Sequence, residues 1–164
     1  MDKPLQTEHL TLLQAGVAIT LASANFRLIP SVAMALAAYR EPESGHLRIL
    51  ARRAEAQMVI EDALATRQIS TVACQPSSHK TVQIKGELLE QVAVTDRDLA
   101  NVTRAITAFA KEIVLVGFDD YFAQGFLSYQ PSELTCLVVA IQAIFDQTPG
   151  AQAGTLLSGT QPCA

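Results

Sequence analysis

Polar and apolar residues alternate most cleanly over residues 81–88, where Val82, Ile84 and Leu88 fall on one side of an extended chain and Thr81, Gln83 and Lys85 on the other. Side chains along a strand alternate between its faces, so this spacing predicts a strand with one apolar and one polar face. Ser77, Ser78, His79 and Lys80 lead into it. The polar face is therefore either a surface for an anion or cofactor, or the wet side of an ordinary antiparallel strand. Residues 69–74 are rich in β-formers, and with a turn over 75–80 they predict a long hairpin running to about Val94, with Gly86 as a bulge.

The same periodicities partition the rest of the chain. Leu5, His9, Leu12 and Leu13 predict an N-terminal helix within residues 1–15, with Pro4 in its first turn. Residues 17–24 and 29–38 predict a hairpin that turns at Asn25, Phe26 and Arg27. Ala18, Thr20, Ala22 and Ala24 share one face of its first strand, and Ala33, Ala35 and Ala37 share one face of its second. Such small-residue faces leave room for a flat ligand or for a closely packed helix or partner subunit. Residues 47–51 predict a short strand, and 52–65 a helix that buries Ala56, Val59, Ile60, Ala63 and Leu64. Arg52 and Arg53 then stand at the positive end of that helix, where cations are disfavoured unless an anion binds between them. Solvation, or pairing with Glu55 or Glu41, is the other explanation.

Thr95 and Asp98 have the spacing of a capping box, and Leu99, Val102, Ile106, Phe109 and Ile113 mark one face of a long helix. A helical turn is expected over 119–124. Residues 134–145 are apolar on both faces, as in a strand covered on each side, and 147–164 read as an irregular tail. Six strands, with helices placed between hairpins, predict an α+β fold built on an antiparallel barrel or sheet.

Composition narrows the partners. A chain of 164 residues fits a single domain spanning 1–164, and with 49% apolar and 17% charged residues it carries more apolar surface than a small monomer hides, so a homo-oligomer is expected. A net charge of -4 argues against nucleic acid. No apolar run is long enough for a membrane helix and no secretory leader pattern is present, so the expected location is cytoplasmic. Cys74 and Cys136 read as reduced thiols and Cys163 as a tail residue; His9, His46 and His79 lie too far apart in sequence to suggest a metal site. No glycine-rich phosphate loop or nucleophile elbow occurs.

Four segments together resemble the pyridoxamine 5'-phosphate oxidase-like family: residues 22–32, 47–58, 79–86, and the run Phe145, Asp146, Gln147, Thr148, Pro149, Gly150, the last similar to a small bacterial branch. The resemblance implies an antiparallel six-stranded split β-barrel with flanking helices, a homodimer, and FMN at the subunit interface. By position it implies that Arg52 and Arg53 hold the FMN phosphate, that Lys80 and Thr81 supply a basic residue and its polar neighbour, and that Gln83 meets the ribityl chain or ring edge. Ser31 and His79 complete the implied cofactor site, and no catalytic side chain stands out. The family's oxidase carries cations on its second strand and a C-terminal tryptophan; residues 31–36 here hold no cation and the chain has no Trp. Pyridoxamine phosphate oxidation is therefore not expected. The activity implied is FMN-dependent oxidoreduction of a small substrate; the alternatives are a non-catalytic flavin or haem carrier or sensor, a barrel that has lost its cofactor, and an unrelated α+β interaction domain.

Overall fold

A computed structural model describes residues 7–119, 121, 122, 125 and 127–160 of the chain. Pro4, Leu5 and Cys163, named above, and residues 120, 123 and 124 of the expected helical turn lie outside the described residues. The expected hairpins form: β1 (Ala18–Ala24) with β2 (Pro30–Ala35), and β5 (Gln68–Cys74) with β6 (Thr81–Val92). β4 (Leu47–Arg52) and β7 (Leu134–Asp146) also follow the expected pattern. Two strands were not anticipated. The stretch read as one strand over 29–38 breaks at Leu36, whose N–H donates to the Leu50 carbonyl, and continues as β3 (Ala37–Arg40). Part of the tail pairs with β7 as β8 (Leu156–Gly159).

All pairings are antiparallel, in the order β2-β1-β5-β6-β7-β4-β3 with β8 beside β7. β2 and β3 stand at opposite ends of that order yet are separated in the chain by Leu36 alone. The sheet must therefore curl until its ends meet, which gives an eight-stranded split barrel in place of the six strands expected. Gly86 does mark a bulge, since the β6–β7 register shifts there and a Cβ at this position would run into the Ala140 carbonyl and Val139.

The barrel interior holds Ile19, Leu21, Leu47, Ile49, Ile84, Leu88, Leu137 and Ile144. Helix α1 (Gln57–Thr66) adds Val59, Ile60 and Ala63 to this core, while Leu64, expected to be buried, faces outward. At the N-terminus the described helix is 3₁₀ (Thr7–Gln14), and its buried residues are Leu10 and Leu13. Three residues per turn puts that pair on one face.

The long helix α2 (Asp96–Leu115) covers the other side of the sheet, where Leu50, Cys136 and Val138 meet Val102, Leu99 and Ile106. β7 is thus buried on both faces, as its sequence predicts. The helix starts in the expected capping box: the Asp98 backbone N–H donates to the Thr95 hydroxyl oxygen, and the Thr95 N–H to the Asp98 carboxylate. Asp98 does more than cap. It is fully buried, and its carboxylate accepts two hydrogen bonds from the Arg48 guanidinium, at 2.9 and 2.7 Å, and one from the Tyr39 hydroxyl at 2.8 Å. α2 is therefore tied to β3 and β4 by a satisfied buried ion pair.

Burial by itself would raise the Asp98 carboxyl, but the hydrogen bonds from Arg48, Thr95 and Tyr39 outweigh it and hold the group at about 2. Tyr39, buried and donating to that carboxylate, is pushed up to about 12. Because the folded value of Asp98 lies below the ordinary carboxylate value, its contribution is complete above about pH 4 and is lost as pH falls toward 2. Asp98→Ala is expected to cost about 3–5 kcal/mol in urea unfolding, because it leaves the Arg48 guanidinium buried and unpaired; it should also flatten the acid limb of stability between pH 4 and 2.

Candidate functional site

The site residues named from the sequence fall into three groups. Arg52 ends β4, opposite Leu134 at the first residue of β7. Its guanidinium donates to Glu55 at 3.2 Å and to the Ser128 carbonyl at 2.6 Å. Arg53 follows in a turn, with its backbone N–H on the Glu133 carbonyl and its side chain exposed, without a hydrogen bond or ion pair among the described residues. The helix expected to start at Arg52 starts instead at Gln57, because β4 pairing and the Glu133 contact hold both arginines outside it.

Both arginines nevertheless face the start of α1. They line a cavity of about 660 Å³ together with Gln57, Ile60 and Leu64. No side chain caps α1 and its first turn carries no acid, so the positive end of the helix dipole is left uncompensated by its own residues. The cavity also contains carboxylates. Glu55 is held by Arg52, Glu61 accepts from the Gln57 amide, and Glu133 accepts from the Gln130 N–H.

The second group is the β5–β6 turn and the strand after it. His79 is exposed, with a left-handed backbone (φ 58°), and Lys80 is exposed beside it. Thr81 is not on a wet face: it is buried, and its hydroxyl donates to the His79 carbonyl. The Gln83 amide donates to the Ser70 hydroxyl at 2.9 Å and its oxygen accepts from Gln147 at 3.0 Å, while the Thr81 N–H donates to the Thr148 hydroxyl. Two segments far apart in sequence, 79–86 and 145–150, are thus laced side by side. Lys85 lies over the Phe145 ring at 5.1 Å. The polar face of β6 is mostly occupied by its neighbours.

This group is not brought to Arg52 and Arg53 within one chain. Val82 pairs with Asp146 at the last residue of β7, whereas Arg52 pairs with the first, about 40 Å of strand path away. Ser31 forms the third location, on β2, where its buried hydroxyl donates to Asp62 of α1 at 2.7 Å.

The proposed alanine wall is corrected by the register. Ile19 pairs with Ala35 and Leu21 with Ala33, so the β2 alanines join the barrel interior, while Ala22 shares the outer face with Val32 and Thr20 with Met34. Cross-strand partners point the same way, and the five-residue turn sets the two alanine rows on opposite faces. No common flat surface results.

No protein-family model matches the chain, and no curated protein does. Solved structures do. An F420 reductase superposes with a TM-score of 0.54 at 13% identity, over 85% of this chain and 98% of that one. A putative pyridoxamine 5'-phosphate oxidase from Lactobacillus delbrueckii gives 0.50 at 19% identity, over 88% and 99%. HupZ from Group A Streptococcus gives 0.50 at 14% identity, over 92% and 99%. The chain has the pyridoxamine 5'-phosphate oxidase-like split-barrel fold. At these identities the likeness is one of fold.

Sequence reasoning missed the tertiary roles of two carboxylates on α2. Asp98 had been read only as a cap. Glu112, on the last turns of α2, accepts from the Gln75 amide at 3.0 Å and from the Ser77 N–H at 3.1 Å, and so docks the turn that carries His79 and Lys80. Hydrogen bonding from the Ser77 side chain, with that from its backbone and from the Gln75 amide, lowers its carboxyl below the ordinary value against the effect of burial. A glutamate at the edge of a helix's apolar stripe gives no sequence signal of this kind. Glu112→Ala is expected to cost about 1 kcal/mol and to speed amide hydrogen exchange over residues 75–80; wild type should show the same loosening as pH falls below the ordinary glutamate value.

Proposed function

We propose that this split barrel binds FMN as a homodimer and acts as an oxidoreductase on a small substrate. The observation that carries the reading is the uncapped start of α1 beside the unpartnered Arg53. A phosphate dianion suits that place, since it accepts from backbone N–H groups and a guanidinium and compensates the helix dipole. Arg52 can join by exchanging its exposed partner. A surface pair such as Arg52–Glu55 contributes at most about 1 kcal/mol, against about 1.5–3 kcal/mol for a hydrogen bond to a charged group. Ile60 and Leu64 give the same cavity an apolar floor.

A second copy supplies what one chain keeps apart. Phe26, Leu28 and Ile29 at the β1–β2 turn are exposed, as are Val32 and Met34 on the outer face of β2. An apolar patch of this kind calls for a partner. In such a dimer Arg52 and Arg53 of one subunit and the exposed Lys80 of the other reach the same flavin, while Ser31, committed to Asp62, and Thr81 and Gln83, committed to neighbours in their own chain, stay out of the site. When bound, the flavin supplies hydride or electron transfer, and this chain's residues bind and orient it. The F420 reductase and the putative oxidase among the structural neighbours support the redox reading. The chain's lack of cations over 31–36 and of Trp keeps pyridoxamine phosphate itself an unsuitable substrate.

Purified protein mixed with FMN is expected to show shifted flavin bands and quenched fluorescence. Arg53→Ala should weaken FMN about tenfold to a hundredfold and leave riboflavin, which has no phosphate, unchanged. A protein that takes up no FMN sinks the proposal, and a Soret band on adding haemin would move the reading to a haem carrier. Size-exclusion chromatography with light scattering should give a dimer, and Leu28→Asp with Val32→Asp should shift it to monomer.

A further inference from the structure

A second concentration of positive charge lies elsewhere, in a cavity of about 430 Å³ between the N-terminal 3₁₀ helix, the end of β3 and the first half of α2. Arg40, Arg97 and Arg104 line it. Among the described residues none that lines it is a carboxylate, whereas the cavity at Arg52 and Arg53 holds three. We propose that this cavity is a binding site for a compact polyanion carrying phosphate or carboxylate groups, separate from the flavin site and independent of it.

Charge makes the case first. The chain has 12 Lys and Arg residues and a net charge of -4, yet three arginines share one small cavity. Like charges gathered around a concave surface repel unless an anion lies among them. The guanidinium groups of Arg40 and Arg104 make no ion pair or hydrogen bond among the described residues, and Arg40 is packed against Gly45. Of the nearby acids, Glu43 pairs with the lining Arg97 at 2.9 Å, while Glu41 lies 3.7 Å from Arg48 and Asp98 is held by Arg48, away from the lining. Glu43 is exposed, so a ligand can take its place on Arg97.

Shape and rigidity follow. The back wall is Tyr39, fixed by its hydrogen bond to the buried Asp98 and covered by the Arg97 guanidinium at 5.9 Å from the ring centre. Arg97 and Arg104 are two turns apart on one face of α2, about 10 Å along its axis. Three planar forks lining one small-molecule-sized cavity suit the paired oxygens of phosphate or carboxylate.

Isothermal titration of the intact protein in low salt, with inorganic pyrophosphate and with citrate, tests this. Saturable binding of at least one is expected, weakened about tenfold to a hundredfold in Arg40→Ala and in Arg104→Ala and unchanged in Arg53→Ala. The stronger of the two anions identifies phosphate or carboxylate as the natural group. Both variants change exposed side chains, and unaltered melting temperatures without ligand would show that they fold. Binding of neither anion overturns the proposal, as does affinity that survives loss of Arg40 and Arg104 or that depends on Arg53.

Discussion

Asp98 is the contact on which the arrangement of layers depends. A fully buried carboxylate is tolerable only when its oxygens are satisfied and its charge is paired, and here Arg48, Tyr39 and Thr95 meet that requirement from β4, β3 and the start of α2. The geometry admits one placement of the helix over the sheet. A helix shifted by one residue would bury the guanidinium and the carboxylate without each other. Apolar contacts between Val102, Leu50 and Cys136 supply much of the attraction between the layers but would accept several registers; the ion pair selects one.

From that choice the two basic regions take their different characters. At α1 the arginines come from the end of a strand and a turn, and carboxylates from the same neighbourhood partly neutralise them. At α2 the arginines come from three positions distant in sequence or along the helix; Arg97 is paired with the exposed Glu43, and Glu41 and Asp98 are turned to Arg48. Charge balance within a cavity, more than the count of cations near a helix end, decides how strongly it draws an anion.

Much of the fold was readable in advance because it rests on local periodicity. The alternation over 81–88, the capping box at Thr95 and the apolar stripe from Leu99 to Ile113 each depend on residues within a few positions of one another, and each element formed where its pattern placed it. Gly86 was legible because a bulge needs a residue with no Cβ at a close backbone approach. The candidate site was legible only in part. Arg52 and Arg53 do flank the start of a helix, but the separation of Lys80 from them, the inward turn of Ser31 and the opposed alanine rows all depend on pairing register, and a shift of one residue reverses every face.

The sequence by itself determined six of the strands and the presence of α1 and α2, where α2 begins, and that one long strand is covered on both sides, because apolar spacing and capping act over a few residues. Tertiary structure alone decided that the second strand bends at Leu36 to close the barrel, that Asp98 meets Arg48, and that Arg40, Arg97 and Arg104 share a cavity. The last two outcomes bring together elements 50 or more positions apart. Only the curl of the sheet and the seating of α2 upon it bring them within reach.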